Sequence, residues 1–309
     1  MYQDNHLCSL LARHAVLTPD HVFAYRPGQP DLTYGALFDG AERTAKALAA
    51  NGLQPGDRVA VQVDKSIEAI QLYIGTVMAG GIFLPLNTAY TAAEVSYFLG
   101  DATPRIVVCD PDREAEIAPL SQARCFTLAC DGTGTLTDAL PADAGFDAIP
   151  RAEDDLAAIL YTSGTTGRSK GAMLSQENVI AACVSGAHAL PTMDKDEQLC
   201  FLPLCHILER NVSAYFPIAG KSTVNFAESP ETVFDNLQEV SPAHFTAVPR
   251  VWEKIYSRVL VLAQEATTIG RLCFNLAVKA GLKRADYLLA RKPVPSGVQL
   301  NYAIWDFLV

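Results

Sequence analysis

Basic residues and paired cysteine motifs are scarce in this sequence. Its 309 residues include 24 Lys and Arg against 34 Asp and Glu, which gives a net charge of −10 at pH 7. This acidic balance argues against nucleic acid or an anionic membrane as the main partner. The eight cysteines form no Cys-x-x-Cys pair, and the histidines complete no zinc spacing. We therefore expect reduced thiols in a cytoplasmic protein.

A secretory signal and a membrane-spanning run are also missing. Residues 1–6 contain no basic segment followed by an apolar core. The longest uncharged run, residues 69–93, includes the apolar stretch 69–88, which is interrupted by Gly80, Gly81 and Pro85 and whose pattern changes from helix to strand. A buried helix, a turn and a strand explain this run better than a transmembrane segment. Half of the residues are hydrophobic and 19% are charged, so we expect a soluble protein with a sizeable core.

Strand-like and helix-like apolar patterns alternate along the chain. This order predicts an α/β fold with a largely parallel sheet, and the length suggests about two domains. Thr91 and Glu94 predict a capping box, and Ser175 is the expected N-cap of the helix that follows it. Predicted strands cover residues 22–25, 58–63, 82–86, 105–109, 201–206, 223–226 and 243–248; predicted helices cover 7–15, 37–48, 67–78, 92–99, 176–189, a segment from 249 and a stretch ending near 291.

Residues 160–171 combine glycines, hydroxyl side chains and two cations directly after the apolar run 157–160. Glycine lets backbone N–H groups approach an anion, Ser and Thr add donors, and Lys170 adds a charge suited to phosphate. The segment therefore predicts a phosphate-binding loop after a buried strand. It is not a Walker A loop, because Ser169 occupies the position of the second glycine. The structural alternative is a Gly- and Ser-rich surface linker.

The same segment resembles the phosphate loop of the adenylate-forming acyl-CoA synthetases. Their signature is Tyr/Phe-Thr-Ser-Gly-Ser/Thr-Thr-Gly-x-Pro-Lys-Gly, and Ser169 stands here where proline is usual. The resemblance implies that the loop holds the β- and γ-phosphates of ATP and that Thr162 helps to ligate Mg²⁺. The implied binding residues are Thr162, Ser163, Gly164, Thr165, Thr166, Gly167 and Lys170.

A histidine follows the apolar string Phe-Leu-Pro-Leu-Cys and is the second candidate. His206 alone would be interpreted as a satisfied core residue. Its position after the loop matches the Pro-Leu-x-His motif of the same synthetases. The resemblance implies a catalytic role for His206 where the acyl group and the thiol approach the adenylate. For Glu209, Arg210 and Arg250 we favour a structural role.

The family resemblance divides between two branches. Residues 7–180 are most similar to malonyl-CoA synthetases, and residues 199–259, including Val-Pro-Arg-Val-Trp-Glu-Lys-Ile-Tyr, are similar to long-chain fatty acyl-CoA synthetases. Acyl pockets in this family are built mostly after the histidine motif, so the resemblance favours a fatty acid substrate, with malonate as the alternative. A malonate enzyme must place a cation against the distal carboxylate. The sequence identifies no such cation.

Several later motifs of the family do not occur: a Tyr-Gly-x-Thr-Glu segment, a ribose-binding Asp, a hinge and a lid lysine. We therefore predict that residues 1–309 form an incomplete N-terminal AMP-binding domain without the C-terminal lid domain. The predicted division is a first α/β subdomain at about 1–190 and part of a second at about 191–309.

The resemblance implies an ATP-dependent ligase that joins a carboxylic acid to coenzyme A, with ATP and coenzyme A as co-substrates and Mg²⁺ as cofactor. We expect this chain to be impaired or inactive by itself. A coumarate-type ligase or a peptide-synthetase adenylation domain is an alternative that the strings after Leu202 disfavour. A non-catalytic interaction fragment is another alternative, which the missing motifs favour. The sequence leaves the oligomeric state open.

Overall fold

The structure, a computed structural model, describes residues 6–26, 28, 30–162, 169–189, 196–229 and 231–308. The chain divides into two compact units, residues 1–245 and 246–309. Its strands and helices alternate, and both of its sheets are mostly parallel, which confirms the predicted α/β class. The predicted subdomain boundary near residue 190 stays a prediction.

The larger sheet of the first unit has six strands. Their spatial order is β6-β5-β3-β4-β7-β8, and every pair is parallel except β7 with β8. The strands are β3 (Arg58–Gln62), β4 (Ile82–Pro85), β5 (Ile106–Cys109), β6 (Arg124–Thr127), β7 (Leu156–Thr162) and β8 (Lys170–Ser175).

The smaller sheet joins segments that are distant in the sequence. Its order is β2-β1-β10-β9, with only the β1–β2 pair antiparallel. The register pairs Ala24 with Val224. The strands are β1 (Val22–Tyr25), β2 (Leu32–Thr33), β9 (Glu197–Cys200) and β10 (Thr223–Phe226).

Helices flank the sheets of the first unit, and further helices form the second unit. The predicted helix at Ile67–Met78 and the predicted capping box of Thr91 and Glu94 are both confirmed. Ser175 Oγ accepts a hydrogen bond from the backbone N–H of Asn178 at 3.2 Å, as expected of an N-cap. The helices are α1 (His6–Leu17), α2 (Tyr34–Ala50), α3 (Ile67–Met78), α4 (Ala92–Ala102), α5 (Glu114–Ile117), α6 (Thr135–Asp138), α7 (Gln176–Ala189), α8 (Ile207–Arg210), α9 (Phe216–Gly220), α10 (Val233–Val240), α11 (Pro249–Glu265), α12 (Thr268–Leu289) and α13 (Ser296–Leu308), with a π-helical turn at Asn211–Tyr215.

The central strands of the larger sheet are buried on both faces. Val59 and Val61 belong to the core cluster that includes α2 and α3, whereas Ala60 between them belongs to the cluster that includes α4. This alternation follows from the two-residue period of a strand. Gly75 of α3 allows the close approach of α2, because a Cβ there would lie 2.8 Å from Ala41 O.

Two predicted strands are wrong. Residues 201–206 are not a strand, because β9 ends at Cys200, Pro203 has no N–H for a ladder, and a turn joins His206 N to Pro203 O at 3.1 Å. Residues 243–248 form only an isolated bridge between His244 and Gln198. In this segment the ring of Phe245 is partly buried by stacking on the ring of Phe201 instead of by pairing in a strand ladder. None of the helices that the structure describes is both long and apolar enough to cross a membrane.

Candidate active site

The hairpin of β7 and β8 carries Thr162 and Lys170, the described residues among those implied to bind phosphate. Thr162 ends β7, Lys170 begins β8, and the two residues are cross-strand partners. Thr162 Oγ1 lies 3.5 Å from Lys170 O, and both side chains are exposed to solvent. A ligand can therefore reach the hydroxyl and the ammonium group together. The loop residues Ser163, Gly164, Thr165, Thr166 and Gly167 lie outside the described residues.

The base of this hairpin is held by α4. The hydroxyl of Tyr97 donates a hydrogen bond to Ser169 O at 3.1 Å, and the hydroxyl of Tyr161 donates one to the carboxylate of Asp101. The rings of Phe98 and Tyr161 are 4.4 Å apart between centroids. Burial and the nearby Asp101 raise the pKa of Tyr161, so its phenol remains a protonated donor at neutral pH. These contacts position both ends of the loop against a rigid element.

The sheet order places this hairpin beside a cleft. β4 lies between β3 and β7 and runs parallel to both, so the carboxyl ends of the three strands share one edge. Ligands of open α/β sheets bind at such edges. A cleft of about 540 Å³, open to solvent, lies beyond the ends of β3, β9 and β10. Its lining includes Val63, Lys65, Thr88, Phe201 and Phe226.

His206 lies at the start of α8, on a different element from Thr162 and Lys170. Its backbone oxygen accepts a hydrogen bond from the backbone N–H of Arg210 at 3.2 Å. Its side chain is exposed, which excludes the alternative of a satisfied core histidine. The preceding residue, Cys205, lines the cleft. A catalytic role for His206 stays a prediction.

Two charged residues of α8 are buried more completely than the sequence indicates. Glu209 and Arg210 are each 2% exposed. The carboxylate of Glu209 accepts hydrogen bonds from Leu202 N at 3.2 Å and from Ser213 Oγ at 2.5 Å. Burial nevertheless raises the pKa of Glu209 above its usual value. Adjacent opposite charges inside an apolar segment were the only signal in the sequence. Arg250, the third residue for which we favoured a structural role, is exposed on α11.

The thiols around the site are protonated at neutral pH. Burial raises the pKa of Cys205 to about 11 and that of Cys183 to about 12. Cys200, whose backbone oxygen lies 3.3 Å from Lys65 Nζ, also has a raised pKa because it is buried. All eight cysteines are free. A buried neutral thiol is a poor nucleophile, so Cys183 and Cys200 serve as core residues.

Comparison with known proteins identifies the family. A model of the AMP-binding enzyme family matches residues 11–298. The long-chain-fatty-acid–CoA ligase FadD13 of Mycobacterium tuberculosis is 30% identical over 72% of this chain and 45% of its own length. The sulfoacetate–CoA ligase of Cupriavidus necator is 32% identical over 71% of this chain and 44% of its own length.

A solved structure agrees with these sequence matches. The crystal structure of ATP-bound MatB from Rhodopseudomonas palustris superimposes with a TM-score of 0.74 at 39% identity. The match covers 80% of this chain and 50% of MatB, and the chain spans less than half the length of the two curated relatives. The predicted family and fold are thereby confirmed. The chain belongs to the AMP-binding enzyme family, the adenylate-forming family that includes acid–CoA ligases.

Proposed function

We propose that this chain is the ATP- and acid-binding part of an acid–CoA ligase. The observation that carries the proposal is the β7–β8 hairpin, which pairs Thr162 with Lys170 at the two ends of the predicted phosphate loop. Both side chains are exposed at the sheet edge where nucleotide sites of α/β folds form. The ATP-bound MatB structure, with the same fold, supports ATP as the nucleotide.

The proposed reaction has two steps. A carboxylate oxygen of the acid attacks the α-phosphorus of ATP, the bond to the bridging oxygen breaks, and diphosphate leaves with that electron pair. Coenzyme A, as its thiolate, then attacks the acyl carbon and AMP leaves. Both steps depend chiefly on positioning and on electrostatic stabilisation of phosphate oxygens. Lys170 would oppose the charge on the β- and γ-phosphates, and His206 would shape the junction of the acyl group and the thiol.

A magnesium ion fits this arrangement through a single protein ligand. Among the residues that the structure describes, Thr162 offers an exposed hydroxyl next to the site for the phosphates. Mg²⁺ commonly binds through one or two protein oxygens while phosphate oxygens and waters complete its shell. Thr162 would therefore hold the ion, and the ion would neutralise charge on ATP.

The acid is the finer part of the proposal. The segment 199–259 supports a fatty acid, and the segment 7–180 supports malonate as the second candidate. The named ligases among the relatives differ in their acids, so the family alone does not select one. We further propose a cytoplasmic enzyme that acts on small molecules.

The test is diphosphate release from ATP and Mg²⁺ with palmitate and, separately, with malonate. We expect release with one acid and a decrease of roughly a hundredfold in Lys170→Ala, because the variant loses a charge that stabilises the transition state. His206→Ala should also lower diphosphate release. Lys254→Ala, which removes an exposed lysine on α11, is the matched control and should keep the wild-type rate.

Two results would contradict the proposal. If a folded sample released no diphosphate from ATP with either acid, this chain would not catalyse adenylation. If wild type and Lys170→Ala released diphosphate at equal rates, Lys170 would not stabilise the phosphates of ATP. We expect little or no acyl-CoA from this chain, so steady AMP formation that depends on coenzyme A would show that our expectation of an impaired chain is wrong.

A further inference from the structure

The charge of the chain is divided unevenly between its two compact units. Residues 246–309 contain nine Lys and Arg against four Asp and Glu, a net charge of +5. Residues 1–245 contain 15 against 30, a net charge of −15. The whole-chain charge, which argues against an anionic membrane, therefore conceals a basic helical unit. Charge asymmetry of this kind is typical of proteins that bind nucleic acid or a membrane surface.

The basic unit also exposes most of the large apolar side chains. Of the 22 large hydrophobic side chains that are exposed in the described part of the chain, 17 belong to residues 248–308. Among the described residues of α11, α12 and α13, only Ala280 is buried. Extended apolar surface that is open to solvent marks an interaction site.

The packing of α13 determines which side of α12 faces solvent. Arg284 Nε donates a hydrogen bond to Gln299 Oε1 at 3.0 Å, and the guanidinium carbon lies 4.6 Å from the ring centroid of Tyr302. The buried Ala280 is four residues before Arg284, so both lie on the side that α13 covers. The opposite side of α12 is the outward one.

Leucines and lysines share the outward side of α12. Four of them follow at spacings of four, three and four residues and therefore form one stripe along the helix. Leu272 in this stripe is 60% exposed, and Leu282 beside it is 63% exposed. We call the five exposed residues the α12 face: Leu272, Leu276, Lys279, Leu282 and Lys283.

We propose that the α12 face binds the surface of an anionic lipid bilayer. Leucines of an interfacial helix enter the boundary between headgroups and acyl chains. Lysine stems extend along that apolar layer and place their ammonium groups among the phosphates. Exposed Arg271 and Asp286 on the same helix offset each other, so the charge of the face is that of Lys279 and Lys283.

Two other partners fit this surface less well. Nucleic acid offers phosphates to the lysines but no apolar layer to the leucines. A second copy of the chain in a two-fold contact would bring two basic faces together, and such like-charge contacts are unfavourable. An anionic bilayer satisfies both the leucines and the lysines.

The direct test is cosedimentation of the whole chain with lipid vesicles, without ATP or an acid, so its outcome is independent of the proposed ligase activity. Vesicles of phosphatidylcholine and phosphatidylglycerol in equal amounts are the probe, and vesicles of phosphatidylcholine alone are the neutral control. We expect binding to the anionic vesicles only. Raising the ionic strength to about 1 M, at which the Debye length falls to about 3 Å, should release most of the protein. Equal binding to both kinds of vesicle, or binding to neither, would overturn the proposal.

A lysine variant tests the charge of the face. Lys279→Gln/Lys283→Gln should lower partitioning onto anionic vesicles roughly tenfold or more, because each cation near an anionic surface strengthens binding. Arg13→Gln/Arg124→Gln removes the same charge from exposed positions of the acidic unit and should bind like the wild type. Losses of equal size in both variants would assign binding to the total charge and contradict the proposal.

A leucine variant tests insertion into the bilayer. Leu272→Gln/Leu276→Gln should lower partitioning roughly tenfold, because two apolar side chains no longer leave water. Val16→Gln/Leu17→Gln replaces exposed apolar side chains at the end of α1 and should bind like the wild type. All four positions are exposed, so these variants should fold, which circular dichroism checks. Unchanged binding of the leucine variant would show that the face does not insert.

Two further measurements keep the test decisive. The native tryptophans, Trp252 and Trp305, lie outside α12, so the added indole of Leu276→Trp reports on the face. Brominated lipid in the anionic vesicles should quench the variant more than the wild type, and equal quenching would refute insertion. Sedimentation velocity without lipid should show a monomer. A dimer that Leu272→Gln/Leu276→Gln abolishes would show that a second copy covers the face and would overturn the proposal.

Discussion

Replacing Arg210 by methionine should stabilise the protein in the absence of ligand. The substitution removes a buried cation whose three nitrogens have no hydrogen-bond partner among the described residues, and it keeps a flexible apolar side chain among Tyr73, Phe83 and their neighbours. Exchanging buried charged groups for packed apolar side chains is often stabilising by about 1–4 kcal/mol. The loss of attraction to the two rings subtracts about 1–2 kcal/mol. The midpoints of these two ranges leave an expected net gain in the free energy of unfolding of about 1 kcal/mol.

Urea denaturation followed by circular dichroism measures this change directly. A higher urea midpoint with an unchanged slope of unfolding free energy against urea concentration would show that stability has changed. The compactness of the folded and unfolded states would then be unchanged. Arg124→Met is the control for losing a cation–ring contact at an exposed position, and it should change stability by less than about 0.5 kcal/mol. A loss of more than about 2 kcal/mol in Arg210→Met would mean that the guanidinium supports the fold, which would refute the reasoning.

Two predictions concern groups whose pKa is raised by burial. Glu209 holds its proton more strongly in the folded than in the unfolded protein. Ionising Glu209 therefore costs no folding stability below its unfolded pKa, and the cost grows as pH rises towards its folded pKa. Between pH 4.5 and 7, Glu209→Gln should lose less stability than wild type, and parallel curves of stability against pH from urea titrations would contradict this. At pH 8 the buried thiols of Cys183 and Cys200 should resist iodoacetamide while exposed Cys130 reacts, and mass spectrometry showing equal labelling would refute their burial.

Local signals account for what was predicted correctly. The strand at Val22–Tyr25 and the helix at Ile67–Met78 have the predicted bounds. The capping box of Thr91 and Glu94 depends on residues three positions apart, which the sequence displays directly. The family was also evident from one short string, because close approach to a phosphate restricts the loop to glycines and small hydroxyl side chains.

Long-range contacts account for the errors. The apolar pattern of residues 243–248 predicts a strand, but only the bridge between His244 and Gln198 forms beside the edge strand β9. The pairing of β1 with β10 joins Ala24 to Val224, which no local pattern specifies. The exposure of His206 is equally invisible in an apolar string.

The amino-acid sequence by itself determined the fold class, the family and the phosphate-loop candidates, because periodicity, capping and loop chemistry act over a few neighbouring positions. Tertiary structure alone decided the environment of Arg210. In the fold, the neighbouring Glu209 accepts hydrogen bonds from Leu202 and Ser213, and the guanidinium of Arg210 lines a cavity. Whether a charge is paired depends on where helix α8 directs each side chain, and that direction is set by the packing of segments far apart along the chain.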